Sequence, residues 1–303
     1  MRLRADGADV PHVDEPTLRH HRQRGAKGVL VLIGGACTPH GHALRAFLDL
    51  VGARSGGKIV GFTEAASDPD ESARQWTAAF RSVGAFNVEF PQFDRNDDGL
   101  DFRAARLVRE AEGIFLGGGD QVRLVTTISG TRVAHAISER YREGGVVCGT
   151  SAGAAAVSEL TMAGGEVDEE GNLVEQYIGP GFGLLGYDAI IDTHFSQRRR
   201  LQRLFLVVAS NRQLLGVGLD EDTALVIRGH VGEVVGAGGV TFVDGRDTVR
   251  FDNAHELDKG RQLTLSHLRV GIVGTRYHLD LEARDLQQLI TRKPVTDSRA
   301  ARS

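Results

Sequence analysis

Gly145-Val146-Val147-Cys148-Gly149-Thr150-Ser151-Ala152-Gly153-Ala154-Ala155-Ala156-Val157 is the stretch on which the reading of this chain turns. A short apolar run leads into Gly-x-Ser-x-Gly, and an alanine-rich segment that can open a helix follows. That order, strand then tight turn then helix, is the context a nucleophile elbow requires. Glycines at 149 and 153 let the backbone approach neighbouring strands where a side chain would clash. The turn lifts the Ser151 hydroxyl above the sheet and leaves N–H groups, first that of Ala152, near a developing oxyanion. A serine that merely caps a helix in a glycine-rich turn has the same local pattern.

Working outward, the apolar runs alternate with helical periodicity. Residues 28–33 form a run closed by Gly34-Gly35, as expected of a strand buried on both faces. Strands are also expected at 58–63, 87–90 and 113–116, and helices at 42–51, 71–83, 102–112, 121–128 and 133–143. This predicts an α/β fold, a mostly parallel sheet covered on both sides in three layers. From about 214 the pattern changes to short strands with tight turns at 215–219, 224–228, 233–236 and 240–243. These are expected as antiparallel strands at the C-terminal edge of the mixed sheet, with two further strands within 262–281 and a short helix at 283–291. The domain reading is a polar N-terminal arm over 1–26, one domain over 27–291, and a disordered tail over 292–303.

Composition narrows the function classes. The 303 residues are 41% hydrophobic and 25% charged with net charge -4, which suits an ordinary soluble core and does not favour a general nucleic-acid binder. Two cysteines, Cys37 and Cys148, make neither a disulfide framework nor a C-x-x-C metal pair. Cys148 reads as a buried strand residue. The opening residues lack the apolar core of a secretory signal, and no run reaches membrane-spanning length, so a cytoplasmic protein with no membrane partner is expected.

A serine nucleophile needs a base and, commonly, an orienting acid. Of 11 histidines, His194 stands best, after the strand-like 187–193 and before Phe195 and an arginine-rich segment expected to be helical. The acid is open between Asp192 and the cluster Asp220-Glu221-Asp222, which is either a solvated turn or part of a site. A second turn, Gly117-Gly118-Gly119-Asp120-Gln121, ends an earlier strand, where ligands of parallel sheets sit, and a glycine N–H there can give a second oxyanion donor. It is neither a dinucleotide fingerprint nor a phosphate-binding loop. Arg198, Arg199, Arg200 and Arg203 follow His194; Arg200 and Arg203 are expected on one helix face, where guanidinium forks can grip carboxylates or simply form a solvated basic face.

Taken together, Gly117-Gly118-Gly119-Asp120-Gln121, Gly149 to Ala154, Asp192-Thr193-His194-Phe195, the Arg200/Arg203 segment and Gly218-Leu219-Asp220-Glu221-Asp222-Thr223-Ala224-Leu225 resemble the cyanophycinases. These are serine peptidases grouped with α-aspartyl dipeptidase. The resemblance spans about 28–281. It implies a class I glutamine amidotransferase-like fold, a triad of Ser151, His194 and Glu221, oxyanion donors at Ala152 and Gly118, and substrate contacts at Gln121, Asp192, Thr193, Arg200 and Arg203. It also implies a homodimer, no metal or organic cofactor, and exo-cleavage of cyanophycin, an aspartate/arginine polymer, to β-Asp-Arg dipeptides. One position departs: the family's usual Asp-Gln-His-Phe reads Asp192-Thr193-His194-Phe195 here. A substrate group held by that amide would lose its partner at about 1–3 kcal/mol. A dipeptidase acting on aspartyl or isoaspartyl peptides, or a non-catalytic amidotransferase-like binding protein, are the alternatives.

Overall fold

The apolar runs become the strands of a nine-stranded sheet in the computed structural model, which describes residues 28–167, 173–248, 265–275, 277–284 and 290–291. Strands β1 (Val29–Ile33), β2 (Ile59–Phe62), β3 (Val88–Glu89), β4 (Gly113–Leu116) and β5 (Val146–Thr150) run parallel in the order β1-β5-β4-β2-β3. Their alternate residues feed two cores. Leu30, Leu32, Val60, Ile114 and Val147 face one side; Val31, Ile33, Ile59, Phe115 and Cys148 face the other. Both faces are covered, which is why these strands read as continuous apolar runs.

Helices α1 (His42–Val51) and α2 (Pro69–Ser82) cover one face; α3 (Asp98–Glu110), α4 (Gln121–Ile128) and α5 (Arg132–Arg142) cover the other. Their starts follow local capping. Asp68, Asp97, Asp120 and Thr131 each accept a hydrogen bond from the first turn of the helix that follows. Helix α3 therefore begins at Asp98, four residues before the apolar periodicity that announced it. After β5 comes a single helical turn, α6 (Ala152–Ala155).

Residues 160–167 and 173–180, where no strand was expected, form the antiparallel pair β6 (Leu160–Val167) and β7 (Leu173–Pro180). Its glycine-rich sequence and two register shifts hide the period-2 alternation. The C-terminal strands divide between two sheets rather than all joining one edge. Strand β10 (Thr223–Arg228) lies antiparallel to β1, followed outward by β11 (Val231–Gly236), β14 (Tyr277–Asp280) and β15 (Ile290–Thr291). In contrast, β8 (Ala189–Asp192), β9 (Leu215–Leu219), β12 (Val240–Asp244) and β13 (Arg269–Val273) form a second sheet in the order β13-β12-β9-β8, with β8 and β9 parallel. One face of this sheet packs on the main core through Ile191, Val217 and Phe242. The other meets helix α7 (Leu201–Ser210) through Ile190 and Val243. Periodicity reports that a strand is buried, not which sheet receives it.

Two expectations change at the ends. The helix expected at 283–291 is replaced, where it is described, by a turn at 283–284 and by β15, which pairs with the exposed backbone edge of β14. The 1–26 arm and the 292–303 tail lie outside the described residues. Among the described residues no helix is long and apolar enough to cross a membrane.

The α1/α2 face is built on aromatic contacts. Phe115 is fully buried, with its ring centroid 4.6 Å from Trp76 and 5.1 Å from Phe80, edge-on to the latter. Phe115→Ala is expected to lower the unfolding free energy by about 3–5 kcal/mol. Urea unfolding followed by the fluorescence of Trp76, the single tryptophan of the chain, reads this directly. A loss below ~1 kcal/mol would mean that the face repacks.

Candidate active site

Strand β1 ends at Ile33, and the next two residues are Gly34 and Gly35. The carbonyls of these three residues accept, in succession, the N–H groups of Ser151 (3.0 Å), His194 (2.7 Å) and Asp222 (3.0 Å). Three segments distant in sequence are thereby fixed to one turn. Both glycines are required there. A Cβ on Gly34 would run into the carbonyls of Leu219 and Asp220, and one on Gly35, whose φ is 97°, into the His194 ring. In the sequence these glycines mark only a strand end. The available signal was that they directly follow a doubly buried strand.

Ser151 sits at φ 52°, ψ -116°, a conformation costing about 1–3 kcal/mol for a residue with a side chain and held by the turn around it. Gly149 and Gly153 make the turn possible: a Cβ on the first would meet the Gly153 carbonyl, and one on the second the Leu116 carbonyl. Ser151 Oγ lies 2.9 Å from His194 Nε2, and His194 Nδ1 lies 2.6 Å from Glu221 Oε1. An ionised carboxylate only accepts, so the Nδ1 proton faces Glu221. That leaves the Nε2 lone pair for the Ser151 hydroxyl. The line Ser151–His194–Glu221 is the geometry of a hydroxyl, a base and an orienting acid.

The three neighbouring acids separate into three tasks. Glu221 meets His194. Asp220 accepts from Ser196 N (3.0 Å), Ser196 Oγ (2.6 Å) and Gly239 N (3.1 Å), tying the segment after His194 to the β9–β10 turn. Asp222 turns toward Gly41, at the start of α1. Gln197, which the sequence reading passed over, accepts from Glu221 N at 3.1 Å and fixes the acid's backbone. Asp192 does not reach His194.

Instead Asp192, buried at the end of β8, holds the arginines. Its Oδ2 accepts from Arg203 Nε (2.7 Å), and its Oδ1 accepts from Arg203 Nη2, Arg200 Nη1 (3.2 Å) and Thr193 N (2.9 Å). Arg203 is buried and directs its fork inward. Arg200 Nη1 also donates to the Thr193 carbonyl at 2.7 Å, while no acceptor faces its Nε and Nη2 among the described residues. Burial pushes the Arg200 guanidinium down to about 10. The expected arginine-rich helix is not continuous from His194. Residues 196–200 form turns with Arg199 at φ 50°, and α7 starts at Leu201 with Arg200 as its N-cap. The Ser196–Asp220 bonds hold that segment out of the helix, and Arg200 and Arg203 converge through Asp192 rather than along one helix face.

Gly118 packs against the serine: a Cβ there would lie 3.2 Å from Ser151 Cβ and 3.7 Å from its Oγ. Among the described residues neither Gly118 N–H nor Ala152 N–H has an acceptor. Gln121 donates its amide to the Met162 carbonyl of β6, so its Oε1 is the atom left to accept. Thr193 is buried beside Asp192. Among the described residues no group of three His, Cys, Asp or Glu side chains is arranged to hold a metal ion.

The profile of peptidase family S51 matches residues 30–235. A cyanophycinase of Synechococcus elongatus is 35% identical over 267 residues, 86% of this chain and 81% of that protein. One of Trichormus variabilis is 33% identical over 276 residues, 89% and 92% of the two chains. The crystal structure of a peptidase from an acI-B1 Actinobacterium shares the fold, with a TM-score of 0.57 at 22% identity over 73% of this chain and 93% of the other.

Gly35→Ala displaces the His194 ring, so labelling of Ser151 by a fluorophosphonate slows by roughly 100-fold while circular dichroism is unchanged; wild-type labelling would show that Gly35 does not set the ring. His194 titrates below the usual 6.5 because burial disfavours the imidazolium; the Glu221 hydrogen bond opposes this and the Arg198 charge adds to it. Arg198→Gln removes a repelling cation and moves the midpoint up, and Glu221→Gln removes a stabilising anion and moves it down. NMR titration of the imidazole resonances measures both, and shifts of the opposite sign would contradict this electrostatic picture.

Proposed function

The chain belongs to peptidase family S51 and is a serine peptidase, and from that premise we propose that it is an exopeptidase that hydrolyses cyanophycin to β-Asp-Arg dipeptides through an acyl-enzyme on Ser151. The observation that carries this reading is the unbroken line from Ser151 Oγ through His194 to Glu221, at 2.9 and 2.6 Å. Support for the substrate comes from the cyanophycinases that match most of the chain and from an arginine with unused donors beside the His194 turn.

In the first step His194 Nε2 takes the Ser151 proton as Oγ bonds to the scissile carbonyl carbon. The resulting oxyanion accepts from Ala152 N–H and Gly118 N–H. The imidazolium, steadied by Glu221, gives its proton to the leaving amine as the C–N bond breaks, leaving an ester on Ser151. Water then loses a proton to His194 and attacks the ester, and the proton returns to Ser151 Oγ. Arg200 offers Nε and Nη2 to a substrate carboxylate. Asp192 and Arg203 serve by holding Arg200, Gln121 accepts through its Oε1, and Thr193 gives a shorter polar surface beside the base. The reaction runs in the cytoplasm, in a homodimer.

Ser151→Ala is expected to lower kcat by at least about 10⁴-fold and Glu221→Gln by about 10⁴-fold, with binding retained. Incubation with cyanophycin followed by mass spectrometry should give β-Asp-Arg dipeptide as the first product. Release of free aspartate from aspartyl dipeptides, with the polymer untouched, would replace the exopeptidase reading by a dipeptidase. Turnover retained in Ser151→Ala would end both.

A further inference from the structure

Glu64 follows β2 on the short link to α2, and the mechanism does not use it. Strand register places it. Phe62 pairs with Leu116, and Leu116 with Gly149. Two residues beyond each lie Glu64, Gly118 and Ser151, one row across three adjacent strand ends. Neighbouring strands are ~4.8 Å apart, so the ends of β2 and β5 stand about 10 Å apart with the end of β4 and the Gly117–Gly119 turn between them. The two outer loops lie on each other: Gly117 N donates to the Phe62 carbonyl (2.9 Å), Asp120 N donates to the Ala65 carbonyl (2.8 Å), and a Cβ on Gly119 would meet Ala65. Glu64 is thus anchored at the same rim as the nucleophile.

Its carboxyl is incomplete. Oε2 is shielded from solvent and has no hydrogen-bond partner among the described residues, although Glu64 as a whole is only partly buried. No cation of the described chain answers it. Arg123 donates to the Ala66 carbonyl at 2.8 Å, and the Thr63 hydroxyl donates to the Pro69 carbonyl at 2.8 Å. Burial pushes the Glu64 carboxyl up to about 7. A carboxyl with one oxygen shielded and unpaired at the rim that holds the nucleophile calls for an explanation that the fold does not supply.

We infer that Glu64 is a specificity-determining residue that accepts the guanidinium of a substrate arginine. This deepens the cyanophycin reading and rests on it for the substrate's chemistry. The arginine side chain of the residue bound over Ser151 extends past the Gly117–Gly119 turn toward the Glu64 carboxyl. There the guanidinium donates a charge-assisted hydrogen bond to the carboxylate. Glu64 and Arg200 then read opposite charges, a guanidinium at one rim and a carboxylate at the other.

The test compares β-Asp-Arg peptides with the same peptides carrying citrulline, which keeps the shape and loses the charge. Wild-type protein is expected to favour the arginine peptide by about 100-fold in kcat/KM. Glu64→Gln should bring the two within about threefold, chiefly by lowering the arginine rate and leaving the citrulline rate unchanged. A general structural defect would slow both peptides. Discrimination kept in Glu64→Gln overturns the proposal. Protection of Ser151 from a fluorophosphonate forms a second arm that needs no turnover. N-acetyl-arginine amide should protect wild-type protein and not Glu64→Gln, whereas glycinamide, which offers only an ammonium, should protect neither. Protection by glycinamide that is lost in Glu64→Gln would assign Glu64 to a substrate ammonium and overturn the guanidinium assignment. Equal protection of both proteins by N-acetyl-arginine amide would refute any role for Glu64. If no Asp-Arg peptide is cleaved, the cyanophycin reading fails, and the protection arm still decides Glu64.

Discussion

Three consecutive carbonyls, those of Ile33, Gly34 and Gly35, hold the candidate site together. They accept the N–H groups of Ser151, His194 and Asp222, one from each segment that brings a reacting or orienting side chain. Backbone bonds in a buried strand end are short-range and directional, and leaving one unmade is costly. The serine, the base and the acid therefore share one backbone reference. The reference works only because the last two positions carry no side chain, since a Cβ at either would occupy space now filled by the Leu219–Asp220 backbone or by the His194 ring.

Several of the charges around this backbone are tied to specific partners. Asp192 binds the fork of Arg203 and one nitrogen of Arg200 in a buried cluster. Such a cluster is costly to desolvate and is weak evidence for stability by itself. Its effect at this site is geometric: it fixes Arg200 beside the His194 turn while two of that arginine's nitrogens stay uncommitted. Asp220 does similar work through hydrogen bonds to Ser196 and Gly239, which stop the segment after His194 from continuing as a helix. Glu221 is thereby left as the carboxylate of the three that meets the imidazole.

Positive φ angles gather at the same place. Ser151, His194, Arg199 and Asp222 all lie between 47° and 52°. Residues with side chains hold such angles only where surrounding contacts over-determine them. Here the contacts are the β1 carbonyls, the Gly149–Gly153 approach and the Asp220 bonds. At Ser151 and His194 the strain and the site coincide because these side chains leave strand ends at a sharp angle to face each other.

The sequence by itself determined the parallel half of the sheet, its covering helices and the elbow at Ser151. These rest on local signals: doubly apolar strands, capping residues, and glycines at fixed spacing around one serine. It offered His194 as the base, but the choice among Asp192, Asp220, Glu221 and Asp222 came from family resemblance, since nothing local distinguishes a carboxylate facing a ring from one facing a backbone amide. Only the tertiary structure decided that β9 and β10, separated by one short acidic turn, enter different sheets, and that Asp192 turns to the arginines. It alone revealed the role of Gly34 and Gly35, and the lone carboxyl of Glu64 in the row with Ser151. The physical reason is the same in each case. Periodicity and capping are set by residues three or four apart, whereas sheet membership and hydrogen-bond partners are set by segments tens to hundreds of residues away, which meet only once the core is packed.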